Sequence, residues 1–171
     1  MTDGSPLARK QTMKVIVADD DPIIRSLIIS KLLELRCRVT EAVDGADAWA
    51  ALAKEKFDLA FIDLQMPNID GLTLIQCIRG HPRTKHMPII VLTSRKDSQA
   101  VSEAFEAGAT SFLVKPLQWS TFSSHVEYLM RLNQEASDAR SMMQQAVAVC
   151  QLRGALMSKA ISASSEAAER I

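Results

Sequence analysis

The chain has 171 residues, 47% of them hydrophobic, and its twenty basic side chains are balanced by twenty acidic ones. That length suits one compact domain with an appendage, and the apolar content is enough for a core. The neutral balance excludes the long-range positive field on which non-specific nucleic-acid or anionic-membrane binding relies.

"MKVIVA" (13–18) is a continuous apolar run that ends in Asp19, Asp20 and Asp21, as a strand buried on both faces of a parallel sheet would. Asp21 as N-cap and Pro22 at the first helical position then open a helix carrying Ile24, Leu27, Ile28, Leu32 and Leu35 at helical spacing. The same alternation repeats. Strands are predicted at 38–42, 59–63, 89–93 and 111–114, and helices at 45–55, 71–79 and 97–107, the last stopped by Gly108. The segment 81–88, with two prolines, reads as a loop.

Five strands alternating with helices imply an α/β fold with one parallel sheet covered on both sides, and such a sheet binds ligands outside the carboxyl ends of its strands. At that edge the pattern collects Asp19, Asp20, Asp63, Thr93 and Lys115. Three crowded carboxylates call for protons or a cation, and a hard divalent ion, Mg²⁺ above all, suits oxygen ligands. Thr93 and Lys115 suit an incoming phosphoryl group, which leaves Asp63 as the candidate nucleophile, able to become an aspartyl phosphate. The "PNIDG" turn (67–71) carries the chain away from Asp63 into the next helix.

Together "VIVADDDPIIR", "FIDLQMPNIDG", "VLTS" and "FLVKP" resemble, in order and spacing, the signature segments of the bacterial two-component response regulator receiver domain, over residues 13 to about 130. The resemblance implies a flavodoxin-like, doubly wound, five-stranded sheet of order 2-1-3-4-5, the order the same principle illustrates with a receiver protein. It further implies that Asp63 takes a phosphoryl group from a phosphohistidine on a histidine kinase or phosphotransfer protein. Asp19 and Asp20 would hold Mg²⁺, the second directly, with Gln65 contributing its backbone carbonyl. Thr93 and Lys115 would bind the phosphoryl group ahead of Pro116, whose peptide bond is usually cis in this family. Phe112 matches the switch aromatic, turning inward as Thr93 moves. The face made by the fourth helix, fifth strand and fifth helix would then report phosphorylation. Such a domain is a phosphoacceptor that assists its own phosphorylation and dephosphorylation and is not otherwise an enzyme.

Residues 1–12 read as a flexible N-terminal tail, 13–131 as the receiver domain and 132–171 as a helical C-terminal extension, one long helix or two. Ala139, Met142, Ala146, Val149, Leu156, Ala160 and Ala163 form a narrow apolar seam broken by Arg153, suited to homodimer formation or partner docking. From residue 117 on, five basic residues equal five acidic ones and no helix-turn-helix pattern follows, which disfavours DNA binding. The stretch 115–140 is similar to the junction before cyclic-di-GMP signalling domains, so the front of a larger regulator, or a stand-alone phosphate shuttle, is the alternative.

A phosphatase of the haloacid-dehalogenase type would need an acid at position 65, where Gln65 stands. The intact Asp63, Thr93 and Lys115 argue against a pseudo-receiver. Cys37, Cys77 and Cys150, odd in number and without Cys-x-x-Cys spacing, indicate neither disulfides nor zinc and default to buried or inert thiols. With no export signal or membrane span, a cytoplasmic location is expected. His81, His86 and His125 lack ligand-like spacing, and Trp49 and Trp119 are expected to pack against the domain.

Overall fold

The computed structural model describes residues 12–94 and 98–168, with side chains at all of these except 98 and 156–168. The expected N-terminal tail, but for Thr12, and Asp97 at the start of the fourth helix lie outside the described residues.

Strands β1 (Lys14–Ala18), β2 (Arg38–Ala42), β3 (Leu59–Asp63), β4 (Ile89–Thr93) and β5 (Ser111–Val114) form one parallel sheet of order β2-β1-β3-β4-β5. Helices α1 (Pro22–Glu34), α2 (Gly45–Lys54), α3 (Gly71–Gly80) and α4 (Ser98–Ala107) connect them, and α5 (Trp119–Ala168) follows β5. The fold is the doubly wound, flavodoxin-like one, and the described part of the C-terminal extension, to Ala168, is a single helix rather than two.

Side-chain alternation along the strands builds two cores. Ile16, Ala18, Ala60, Ile62, Ile89 and Val91 face one side, under Ala48 and Leu52 of α2, Leu74, Ile75 and Ile78 of α3, and Ala104 of α4. Val15, Val17, Leu59, Phe61, Ile90 and Leu92 face the other, against Ile28 and Leu32 of α1 and Phe122, Val126 and Leu129 of α5. Covered on both faces, β3 and β4 are buried at every position, which is why they read as unbroken apolar runs.

The helix starts follow local chemistry. The Asp21 carboxylate accepts from the Ile23 and Ile24 amides at the start of α1, Asp44 from Asp47 at α2, and Asp70 from Thr73 at α3. At the end of α4, Gly108 has φ 109°, a left-handed conformation that a Cβ would disfavour. Trp49 packs against the first core and meets His81 edge to face, and Trp119 packs against the second beside Phe122.

The chain divides into two compact units after Met130. In the second unit, every residue from 141 to 155 is exposed. No described helix is long and apolar enough to cross a membrane.

Candidate functional site at the carboxyl ends of the strands

Because the strands are parallel and in register, their carboxyl ends share one edge. Asp19 follows β1, whose Ala18 lies beside Ile62 of β3; Asp63 is the last residue of β3, and Thr93 the last of β4, beside Val114 at the end of β5. Asp19, Asp20 and Asp63 each bring one carboxylate oxygen within 4.8 Å of the others. Lys115, one residue past β5, reaches across with Nζ 2.7 Å from Asp63 Oδ2 and 2.8 Å from Asp19 Oδ2. Thr93 is buried, and its carbonyl accepts from the Lys115 amide at 2.8 Å. The Lys115–Pro116 bond is cis.

The three aspartates after β1 have distinct surroundings. Asp19 is fully buried and its Oδ1 accepts from the Asp21 amide, Asp20 is exposed at the rim, and Asp21 caps α1. Burial pushes the Asp19 carboxyl above its ordinary range, more than the neighbouring Lys115 ammonium pulls it down. For Lys115, burial alone would lower the pKa, but the adjacent carboxylates of Asp19 and Asp63 outweigh it and hold the ammonium above its ordinary value. Asp19 Oδ2 faces that ammonium as an ion pair but has no well-aligned hydrogen bond, so a buried anionic oxygen is left under-satisfied. An under-satisfied buried carboxylate oxygen among three hard oxygen donors fits a divalent cation of the Mg²⁺ class.

Several residues position the site that their sequence did not single out. Gly71, the first residue of α3, lies so close to β3 that a Cβ there would stand 2.3 Å from the Asp63 carbonyl oxygen. Arg25 donates from Nη1 to the Asp19 carbonyl at 2.7 Å while pairing with Glu41, tying α1 to the ends of β1 and β2. Asn68, at φ 64°, donates to the Asp44 carboxylate and joins the loop after β3 to the start of α2. The "NIDG" run signals a turn, but nothing in the local sequence signals what Gly71 or Arg25 touches.

Gln65 is exposed, and its amide donates to Asp63 Oδ1 at 3.3 Å, so its backbone adjoins the nucleophile candidate. Phe112 is 36% exposed and meets Phe105 of α4 edge to face with ring centroids 6.0 Å apart. His125 is more than a surface residue, since its Nε2 lies 2.9 Å from Ser111 Oγ. Burial protects only Cys37, whose thiol it pushes up; Cys77 and Cys150 are exposed.

Residues 15–127 match the family model described as the response regulator receiver domain. The chain is 30% identical over 118 residues to the chemotaxis protein CheY-3 of Vibrio cholerae, a match covering 68% of this chain and 91% of that protein. It is 32% identical over 118 residues to the DNA-binding dual master transcriptional regulator RpaA of Synechocystis, covering 69% of this chain but 49% of RpaA. Among solved structures, the chemotaxis response regulator CheY4 of Vibrio cholerae superimposes with a TM-score of 0.65 at 30% identity, over 68% of this chain and 98% of that one.

Proposed function

Since the chain belongs to the family of response regulator receiver domains, we propose that it is a phosphoacceptor in a two-component phosphorelay, modified on Asp63. The observation that carries this reading is the convergence of Asp19, Asp20 and Asp63 around one point, with Lys115 bridging two of them. An Asp63 oxygen attacks the phosphorus of a phosphohistidine on a histidine kinase or phosphotransfer protein. The new O–P bond forms as the N–P bond breaks, and the imidazole keeps the electron pair.

Asp19, Asp20, Asp63 and the Gln65 carbonyl would hold Mg²⁺, which would supply charge neutralisation between the carboxylates and the incoming anion. Lys115 already lies against Asp63, so its ammonium can follow one phosphoryl oxygen without crossing the site. Thr93 ends the neighbouring strand and supplies a hydroxyl to another. In this reading Thr93 and Phe112 are the switch. A Thr93 drawn toward the phosphoryl group frees space for Phe112 to leave Phe105 and turn inward, changing the face of α4, β5 and the start of α5. Gln65 stands beside the modified residue, where its side chain can position or block water and so set the lifetime of the phosphoryl group.

Residues 13–131 carry this chemistry, 1–12 are an N-terminal tail, and 132–171 are an output extension that docks a partner or a second copy. The protein acts in the cytoplasm, not as an enzyme on other substrates, and not on DNA. RpaA is named a DNA-binding regulator, but the match covers only 49% of it, and the extension here has no basic excess. The extension also leaves room for the reading as the front of a cyclic-di-GMP regulator.

Asp63→Asn should abolish acid-stable, base-labile labelling by a phosphorylated kinase or a small phosphodonor in the presence of Mg²⁺, while circular dichroism stays unchanged. Full labelling of that variant would refute the assignment.

A further inference from the structure

The second unit leaves apolar side chains in water: Met142 is 71% exposed, Met143 72%, Val147 51%, Val149 55% and Leu152 67%. A helix with fifteen successive exposed residues has little tertiary packing to hold it, and helices of this kind are marginal alone.

On this helix Glu135, Ala139, Met142, Ala146, Val149 and Arg153 are spaced four, three, four, three and four residues apart. At about 100° per residue they fall within about 80° of one face. All six are exposed, and neither Glu135 nor Arg153 has a salt bridge among the described residues. The spacing reads the same in both directions from the level of Gln144. One end of the stripe is acidic and the other basic.

We propose that this stripe is a homodimer seam that pairs two copies of the chain antiparallel, with the two-fold axis at the level of Gln144. In that arrangement Glu135 meets Arg153 of the second copy at both ends. Ala139 meets Val149 and Met142 meets Ala146, so each apolar layer sets a small side chain against a larger one. A parallel pair would set Arg153 against Arg153, Glu135 against Glu135 and Ala146 against Ala146, combining like-charge contacts with a void. The Arg153 that interrupts the apolar seam is therefore the charge that fixes orientation.

Met143 borders the seam on one side and widens what it covers, while Leu152 and Val147 lie further round the helix. From Glu135 to Arg153 the seam is about 27 Å long, shorter than a standard interface of about 800 Å² per partner would need. Association is therefore reversible and concentration-dependent. The proposal does not depend on the chemistry at Asp63.

Sedimentation equilibrium of the full chain tests it. The unaltered protein should dimerise reversibly below about 100 µM. Glu135→Arg and Arg153→Glu should each weaken dimerisation roughly tenfold, because each turns two attractive pairs per dimer into repulsive ones. The double variant should return to within about threefold of the unaltered protein, since the pairs are restored with signs exchanged. A monomer at all these concentrations, single variants without effect, or a double variant weaker than either single one would each overturn the proposal. In a Cys77→Ser, Cys150→Ser background, Met142→Cys chains should cross-link faster with Ala146→Cys chains than with themselves. Faster self-linking would overturn the antiparallel orientation.

Discussion

Strand β3 and the stretch 141–155 of α5 are both rich in apolar residues, yet all five residues of β3 are buried and all fifteen of the helical stretch are exposed. Phe61 is 0% exposed and stacks on Phe122 with ring centroids 5.6 Å apart, whereas Met142 is 71% exposed. Hydrophobicity creates a demand for cover, and neighbouring elements decide whether it is met within one chain. In the receiver unit two helical layers meet it. In the second unit the described residues leave the stretch 141–155 exposed.

Substitutions can break or sharpen this contrast. The largest effect is expected from Phe61→Ala, which should cost about 3–5 kcal/mol in urea unfolding, since it empties a closed core. Gly71→Ala should come next, at about 1–3 kcal/mol, because the added carbon has no room beside the Asp63 carbonyl. It should also lower labelling of Asp63, which a purely structural glycine remote from the site would not do.

Asp19→Asn should act in the opposite direction and raise the thermal midpoint at pH 7 without divalent ions. The Asp19 carboxyl sits above its ordinary pKa in the fold, so the folded state binds its proton more tightly. The contribution of this group is therefore complete below the ordinary carboxylate range and is lost as pH rises through the raised value. Thermal melts across that window should flatten in the variant. Lys115 follows the same sign in a higher window: its contribution is complete below the ordinary lysine range and lost as pH rises through its elevated pKa.

The smallest effect is expected from Met142→Ala, within about 0.5 kcal/mol for the monomer, because no partner side chain is lost. A loss comparable with that of Phe61→Ala, measured at monomer concentrations, would show that the helix is covered within its own chain and erase the distinction between the two regions.

The sheet was legible because β3 and β4 are buried on both faces and so cannot tolerate polar residues, and α1 because Asp21 and Pro22 mark its start. The acidic cluster was legible for a topological reason: in a parallel sheet, every residue that ends a strand lies on the same edge. What was not legible depends on contacts between distant segments. Asp19-Asp20-Asp21 looks like one acidic run, yet its members separate into a buried anion, a rim carboxylate and a helix cap. Arg25 and Gly71 act on the site through a guanidinium bond to a carbonyl and through the absence of a carbon. Neither leaves a local pattern. The exposure of Cys77 and the Ser111 contact of His125 were hidden for the same reason.

From the sequence alone came the order of the elements, the residues that meet at the strand ends and the periodicity of the last helix, because these depend on spacing along one chain. Tertiary structure alone decided that Lys115 bridges Asp19 and Asp63, that one carboxylate is raised by burial, and that the apolar stripe of α5 remains in water. Each of these depends on what approaches through space, and on how much solvent that approach removes.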